Sequence, residues 1–232
     1  MATKKVDDIS VFFPCYNEAE NLPELIAEAV EVLAELADSY EIIIVDDGSN
    51  DSTAEICRDL IQKTHQLKLV SHGQNRGYGA ALRSGFKAAA NSLVFYTDGD
   101  HQFDLHDLKK LIPLLNDAQI VSGFRLTRED PWYRKLNARL YNSALWLLFG
   151  LKVRDVDCAF KLYRRELFDQ IDIRSDGAFV DAEILIKARR RGYRIAQIGV
   201  PHYPRRHGAP SGAKLRVILR ALGEMLRLRL FG

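Results

Sequence analysis

Short apolar runs that stop abruptly at polar or acidic turns recur through the first 125 residues, and they restrict the fold more than any other feature. Ile9 to Phe13 ends at Pro14-Cys15-Tyr16-Asn17-Glu18, and Tyr40 to Val45 ends at Asp46-Asp47-Gly48-Ser49. Leu93 to Thr97 ends at Asp98-Gly99-Asp100, and Gln119 to Ser122 ends at Gly123-Phe124-Arg125. A fifth run, Leu67 to Val70, precedes Asn75-Arg76-Gly77-Tyr78-Gly79. The runs are continuous rather than alternating, which is the pattern of strands buried on both faces. Between them lie helical periodicities: Leu22 to Leu36 behind Asn21 as N-cap, Asp51 or Ser52 to about Lys63, an alanine-rich stretch to about Ala90, and Asp104 to about Leu115. Such alternation predicts an α/β fold, a mostly parallel central sheet with helices on both faces. Ligands of these sheets sit beyond the carboxyl ends of the strands. Tyr16, Glu18, Asp46, Asp47, Gly77, Asp98, Asp100 and Arg125 are thereby assigned to one edge.

Leu93-Val94-Phe95-Tyr96-Thr97-Asp98-Gly99-Asp100-His101-Gln102 is the most chemically explicit stretch. Two carboxylates cannot continue a strand into a core, so the chain must surface at Asp98. Acids two residues apart, on a turn that Gly99 lets approach a ligand, offer oxygens to one hard cation, Mg²⁺ or Mn²⁺. His101 and Gln102 add a nitrogen or an amide oxygen. The same pattern is also that of a solvated strand-to-helix turn with Asp100 or Asp104 as N-cap.

After Arg125 the alternation stops. Pro131 to Phe149 reads as a helix, Asp155 to Tyr163 as an acidic turn and strand, Phe179 to Arg191 as a helix and Tyr193 to Val200 as a strand. Residues 201–212 form a loop rich in proline, glycine and base. Lys214 to Phe231 is expected to be one basic amphipathic helix, which either lies in a membrane interface or packs on its own domain with snorkelling arginines. The organisation expected is a domain over 1–212, with halves 1–125 and 126–212, and the helix 213–232. With 232 residues the chain does not require two domains. Its net charge of +2 is uneven, the basic excess lying beyond Arg189 and pointing to an anionic partner; no nucleic-acid partner is expected. Three cysteines without a CxxC pair fit a reducing cytosol, and no apolar run approaches a membrane span, so nothing is expected to cross a bilayer.

Gly77-Tyr78-Gly79 lacks the third glycine of a dinucleotide loop and follows the wrong strand; no P-loop and no GxSxG elbow occur. The ordered set FPCYNEAENL, IIIVDDGSNDST, NRGYGAALRSGF, VFYTDGDHQFD, VSGFR, DVDCAFKLYRREL and VPHYPRRHGAPSG, over about residues 8 to 212, resembles the family 2 inverting glycosyltransferases of GT-A fold. The resemblance is strongest to the branch of dolichol-phosphate mannosyltransferase and bacterial polyprenyl-phosphate glycosyltransferases. It implies that Pro14, Tyr16 and Glu18, with Asp46 or Asp47, line a nucleoside pocket; the short glycines Gly77 and Gly79, on their own chemistry, let the backbone approach a nucleotide or the sheet edge. It makes Asp98, Asp100 and Gln102 the ligands of Mg²⁺ or Mn²⁺. It sets Arg125 and Arg134 toward an acceptor phosphate and Arg205 over the donor diphosphate. The family's late R-x-x-G-x-S-K loop is R-x-x-G-x-x-S here, with Ser211 and Lys214 displaced.

The implied partners are a nucleotide-sugar donor, a polyprenyl-phosphate acceptor and the cytoplasmic membrane surface, where the chain would be peripheral; the reading leaves room for a separate membrane-anchor subunit. A departing nucleoside diphosphate builds negative charge that a cation and arginines stabilise. A lipid phosphate is already anionic near neutral pH and needs no strong base. A hydroxyl of a soluble saccharide or protein would need one, for which Asp155, Asp157 and Glu183 are the candidates. A non-catalytic sugar-nucleotide-binding protein is the remaining alternative.

Overall fold

The computed structural model describes residues 5–126, 132–208 and 215–231, and for residues 132–135, 215, 216 and 231 the backbone alone. Seven strands form one sheet: β1 (Val6–Cys15), β2 (Ala37–Asp46), β3 (Leu67–Ser71), β4 (Leu93–Thr97), β5 (Ile120–Arg125), β6 (Phe160–Arg164) and β7 (Ile195–Val200), in the order β3-β2-β1-β4-β6-β5-β7. β1 pairs parallel with β2 and β4, β2 with β3, and β5 with β7. β6 lies antiparallel between β4 and β5. The mostly parallel sheet expected from the apolar runs is present, and Ile42 to Val45 and Val94 to Tyr96 are fully buried.

The helices are α1 (Leu22–Leu36), α2 (Thr53–Lys63), α3 (Tyr78–Ala88), α4 (Leu108–Leu111), α5 (Trp132–Phe149), α6 (Leu167–Gln170), α7 (Val180–Arg190) and α8 (Leu215–Phe231). Successive strand side chains point to opposite faces. Phe12 turns toward α3, where it meets Phe86 edge-on and stacks on Tyr96. Tyr163 of β6 and Phe168 of α6 extend this aromatic cluster, which ties the first four strands to the later part of the chain.

Several boundaries differ from the sequence expectation for local reasons. Asn21 does not cap α1 with its side chain; its Nδ2 donates to Glu18 Oε2 at 2.6 Å instead. α2 is capped by Asp51, whose Oδ1 accepts from the Thr53 N–H at 3.0 Å, and Ser52 makes no cap bond. The helix expected from Asp104 to Leu115 is divided into a 3₁₀ turn over Leu105–Asp107, α4, and a 3₁₀ turn over Ile112–Asn116. Pro113 explains the break, because it has no N–H to continue the ladder. Asp104 does cap, accepting from the His106 N–H at 2.9 Å. β2 begins at Ala37, directly against α1, rather than at Tyr40. Pro131, Ser211 and Lys214 lie outside the described residues.

Gly85 of α3 has no room for a side chain, since a Cβ there would overlap the Phe12 ring. Phe12 is itself held between Phe86 and Tyr96. Gly85→Ala is therefore expected to destabilise the fold by about 1–3 kcal/mol through overpacking, despite alanine's better helix propensity. Denaturant unfolding followed by circular dichroism measures it.

Candidate active site

The ends of β1, β2 and β4 come together as expected, but their carboxylates have unequal duties. Asp47 is committed to its own chain: Oδ1 accepts from the Arg76 N–H at 2.9 Å and Oδ2 from the Gly77 N–H at 2.8 Å. His72 Nδ1 lies 2.6 Å from Oδ1, and its Nε2 lies 2.9 Å from Ser84 Oγ. Asp47 thus shapes the loop before α3 rather than facing a ligand. Asp46 accepts from the Ser49 N–H at 3.0 Å and from Ser71 Oγ at 3.4 Å. Gly77, at φ 99°, and Gly79 do allow a close approach, but to the chain itself: Gly79 N–H donates to Asp176 O at 2.9 Å, and a Cβ on Gly77 would lie 2.7 Å from that oxygen. The approach assigned from sequence to a nucleotide is used to seat residues 175–176. Pro14, one residue before the end of β1, lies in register with Val45, and its carbonyl accepts from the Gly99 N–H at 3.3 Å, which fixes the turn after β4. Tyr16 stands exposed beside it, its hydroxyl accepting from Asn50 Nδ2 at 3.2 Å.

Asp98 and Asp100 project from that turn. Tyr78 donates its hydroxyl to Asp98 Oδ1 at 3.0 Å. Asp100 Oδ1 faces the Gln102 N–H, and its Oδ2 accepts from Arg205 Nη2 at 2.6 Å. The same guanidinium donates through Nη1 to Glu18 Oε1 at 2.9 Å, so Arg205 bridges the first strand end and the fourth. Burial, and then the charge of Asp100, push the Asp98 carboxyl up to about 8. Burial raises Glu18 as well, against the opposing pull of Arg205. Gln102 Nε2 donates to Tyr203 O at 2.8 Å, leaving the amide oxygen as its ligand atom. His101 does not join this group. At φ 56° it turns to α1, where Nε2 lies 2.5 Å from Glu28 Oε2. A separate set, Glu28, Asp104 and His106, brings ligand atoms within 4.8 Å of one another, but its members already serve as helix caps and neighbours of α1.

The end of β5 carries the second part of the site. Arg125 grips Asp155 with two bonds, Nε to Oδ2 at 2.7 Å and Nη2 to Oδ1 at 2.8 Å. A cavity of about 290 Å³ opens there, lined by Arg125, Arg139, Arg154, Phe124, Asn142 and Asp155 among others, with the Arg154 guanidinium 4.0 Å above the Phe124 ring. The side chain of Arg134 lies outside the described residues. Asp157 is exposed, yet it stands among protein atoms close to Asp181 and Asp155, and its carboxyl is raised to about 6, first by partial desolvation and then by those charges. Glu183 is turned away from this group. It accepts from the Arg174 and Ser175 N–H groups and from Lys187 Nζ, which outweigh burial and lower its pKa. With both oxygens engaged it shapes the loop over 172–177.

Sequence reasoning missed Arg139 and Arg154, which stand outside any strand end. It also missed Lys161, for which a signal existed: a lysine at the centre of the apolar run Ala159-Phe160-Lys161-Leu162-Tyr163 must be paired if the run is buried.

The model of glycosyl transferase family 2 matches residues 10–172. The chain belongs to glycosyl transferase family 2. Among its relatives, undecaprenyl-phosphate 4-deoxy-4-formamido-L-arabinose transferase of Aeromonas hydrophila is 31% identical over 214 residues, 90% of this chain and 64% of that protein. The enzyme of the same name from Proteus mirabilis is 29% identical over 93% of this chain and 66% of its own length. Glycosyltransferase AglD of Haloferax volcanii is 31% identical over 88% of this chain and 34% of its own. The chain therefore spans about two thirds or less of these relatives. Among solved structures, glucosyl-3-phosphoglycerate synthase of Mycobacterium tuberculosis in complex with phosphoglyceric acid superposes with a TM-score of 0.75 at 25% identity, covering 96% of this chain and 80% of that one. The same protein with Mn²⁺, UDP-glucose and glycerol 3-phosphate gives 0.74 at 25%, with the same coverage. The GT-A architecture read from the sequence is thus present in this chain.

The raised Asp157 carboxyl has a measurable consequence. Its folded pKa of about 6 lies above the ordinary carboxylate value, so its contribution favours the folded state at low pH and is lost as pH rises through about 6. Asp157→Asn is expected to stabilise the protein at pH 7.5 by about 1 kcal/mol or less, given solvent screening, with the gain vanishing near pH 4. Thermal unfolding at both pH values checks the sign.

Proposed function

We propose that this glycosyltransferase moves a hexose from a GDP- or UDP-linked donor to a polyprenyl or dolichyl phosphate, with inversion, at the cytoplasmic membrane face. Residues 1–125 serve the donor, 126–212 the acceptor, and 213–232 the membrane. The observation that carries the reading is the pairing of two sites on one edge: carboxylates at the end of β4 and an arginine-lined cavity at the end of β5. The relatives named above for an undecaprenyl-phosphate substrate agree with it.

Asp98, Asp100 and the free amide oxygen of Gln102 form an all-oxygen donor set that fits Mg²⁺ or Mn²⁺, and the buried hydroxyl of Thr97 beside them has no partner among the described residues. When bound, the ion supplies positive charge to the departing nucleoside diphosphate. Arg205 neutralises Asp100 and Glu18, and from that place its guanidinium would meet the donor diphosphate. Tyr16 and Glu18, with Asp46, line the nucleoside side; Pro14 and Asp47 hold its walls. On the acceptor side Arg125, joined by Arg139 and Arg154, orients the phosphate, and Asp155 keeps Arg125 aimed. An oxygen of that phosphate forms the bond to the anomeric carbon as the bond to the donor diphosphate breaks. The nucleophile is already ionised, so Asp157 need not remove a proton.

No described helix is long and apolar enough to cross a membrane. α8 nevertheless buries Met225 and Leu228 while exposing Leu219, Leu222, Leu226 and Leu230 beside Arg227 and Arg229, and α5 exposes Leu140, Trp146 and Leu147. Such faces suit the headgroup region of an anionic membrane, with or without an anchor subunit. A second reading keeps the donor chemistry with a soluble acceptor, which the phosphoglyceric acid complex of the M. tuberculosis neighbour favours.

Purified protein screened with UDP- and GDP-sugars and Mn²⁺ is expected to release nucleoside diphosphate only when a short polyprenyl phosphate is added, and Asp100→Ala is expected to reduce the rate by about 100-fold or more. Release stimulated by 3-phosphoglycerate and not by the lipid would move the assignment to the soluble acceptor. Independently, flotation with phosphatidylglycerol vesicles is expected to carry the protein, and Leu219→Asp with Leu226→Asp to leave it in the soluble fraction.

A further inference from the structure

Lys161 lies in β6 with no exposed surface, and its ammonium is saturated. Nζ donates to Asp181 Oδ1 at 2.6 Å, to the Cys158 carbonyl at 2.5 Å and to the Tyr96 hydroxyl at 3.1 Å. Tyr96 in turn donates to the same Asp181 oxygen. Three donors meet three acceptors, the full capacity of a lysine.

Each acceptor belongs to a different part of the edge. Tyr96 is the residue that faces Lys161 in the β4–β6 ladder, two positions before Asp98. Cys158 closes the turn that carries Asp155, the partner of Arg125, and its N–H returns to the Asp155 carbonyl at 3.2 Å. Asp181 stands in the first turn of α7, whose Glu183 holds residues 174–175 beside Gly79. Phe12, Phe86 and Tyr163 pack on the Tyr96 ring at the border of this network. Well-packed hydrophobic residues commonly replace a buried ion pair without loss of stability, so the Lys161–Asp181 pair is not required for folding as such.

The geometry points to Lys161 as a positioning residue of the transfer reaction, a buried cation that locks the carboxylate turn after β4 to the acceptor-side turn over 155–158. The inference rests on the glycosyl-transfer reading above. β6 runs antiparallel between β4 and β5, so it is the strand through which donor and acceptor parts must be registered. Main-chain bonds fix its height, and Lys161 fixes the two turns that flank it. The charge also acts on Asp157, where it opposes the burial that raises that carboxyl. A misplacement of reacting groups by about 1 Å can cost on the order of 100-fold in rate, which is the scale on which such a lock matters.

The test compares Lys161→Met, the charge-neutral double variant Lys161→Met with Asp181→Asn, and Tyr96→Phe, which keeps the ion pair. Melting temperature, kcat and donor KM are measured for each, with the donor and acceptor that support turnover of the wild type. The single variant leaves Asp181 buried and unpaired and is expected to melt well below the wild type. The double variant is expected to recover melting temperature but to keep a kcat about 100-fold down, with donor KM within roughly threefold of wild type. Wild-type kcat in the double variant would overturn the assignment and leave Lys161 a structural residue. Where the double variant does not fold, Tyr96→Phe decides, since a kcat equal to wild type there also overturns it, and a several-fold fall at unchanged melting temperature supports it. A wild type that turns over no donor overturns this inference together with the function it rests on, whereas turnover with an indifferent double variant overturns Lys161 alone.

Discussion

Repulsion among carboxylates is the constraint that the site edge is built to manage. Glu18, Asp46, Asp47, Asp98, Asp100, Asp155, Asp157 and Asp181 all stand at or near the ends of β1, β2, β4 and β6, where each charge is disfavoured by its acidic neighbours and, for all but the exposed Asp157, by burial. Each is answered differently. Asp47 is satisfied by backbone N–H groups and His72, Asp100 and Glu18 share Arg205, Asp155 has Arg125, and Asp181 has Lys161. Among the described residues Asp98 and Asp157 are left without a cationic partner of their own, and their carboxyls rise, as that of Glu18 does even against Arg205. An edge that needs this many cations to hold its acids together is already arranged to receive another, or to exchange a guanidinium for one.

The strand ends were legible because a buried parallel strand announces itself twice, by an unbroken apolar run and by the polar turn where it surfaces. Asp98 and Asp100, Glu18 and Arg125 could be assigned to one edge from that alone, and the structure puts them there. The antiparallel direction of β6 was not legible. A five-residue run such as Phe160 to Arg164 carries no mark of direction, which depends on how the chain returns from α5. Nor could the sequence tell which acids face a ligand and which face their own chain. Asp46 and Asp47 are adjacent and alike, and the difference between them lies in Arg76 and Gly77, some 30 residues away. The engagement of Glu183 was hidden for the same reason: the Arg174 and Ser175 N–H groups that occupy it are tertiary partners. The arginine bridge from residue 205 to residues 18 and 100 is a contact between chain ends that no local pattern encodes.

Asp176 shows how closely α8 and the loop before α3 are joined. Its carbonyl accepts from the Gly79 N–H at the start of α3, and its carboxylate receives Arg83 of α3 and, at 3.2 Å, Arg220 of α8. Arg220 also reaches Glu224 one turn on at 3.1 Å, so the inner face of α8 is pinned by a charge pair and the apolar contacts of Met225 and Leu228. Gly77 and Gly79 must be small for this seat to exist. The loop that Asp47 shapes from one side is therefore shaped from the other by the residue on which α8 rests. A helix whose outer face is apolar and basic and whose inner face touches the residues seated on α3 cannot shift without the loop before α3 bearing part of the load. The same few backbone contacts that let α3 begin at Tyr78 thus set where the amphipathic helix sits relative to the carboxylate edge.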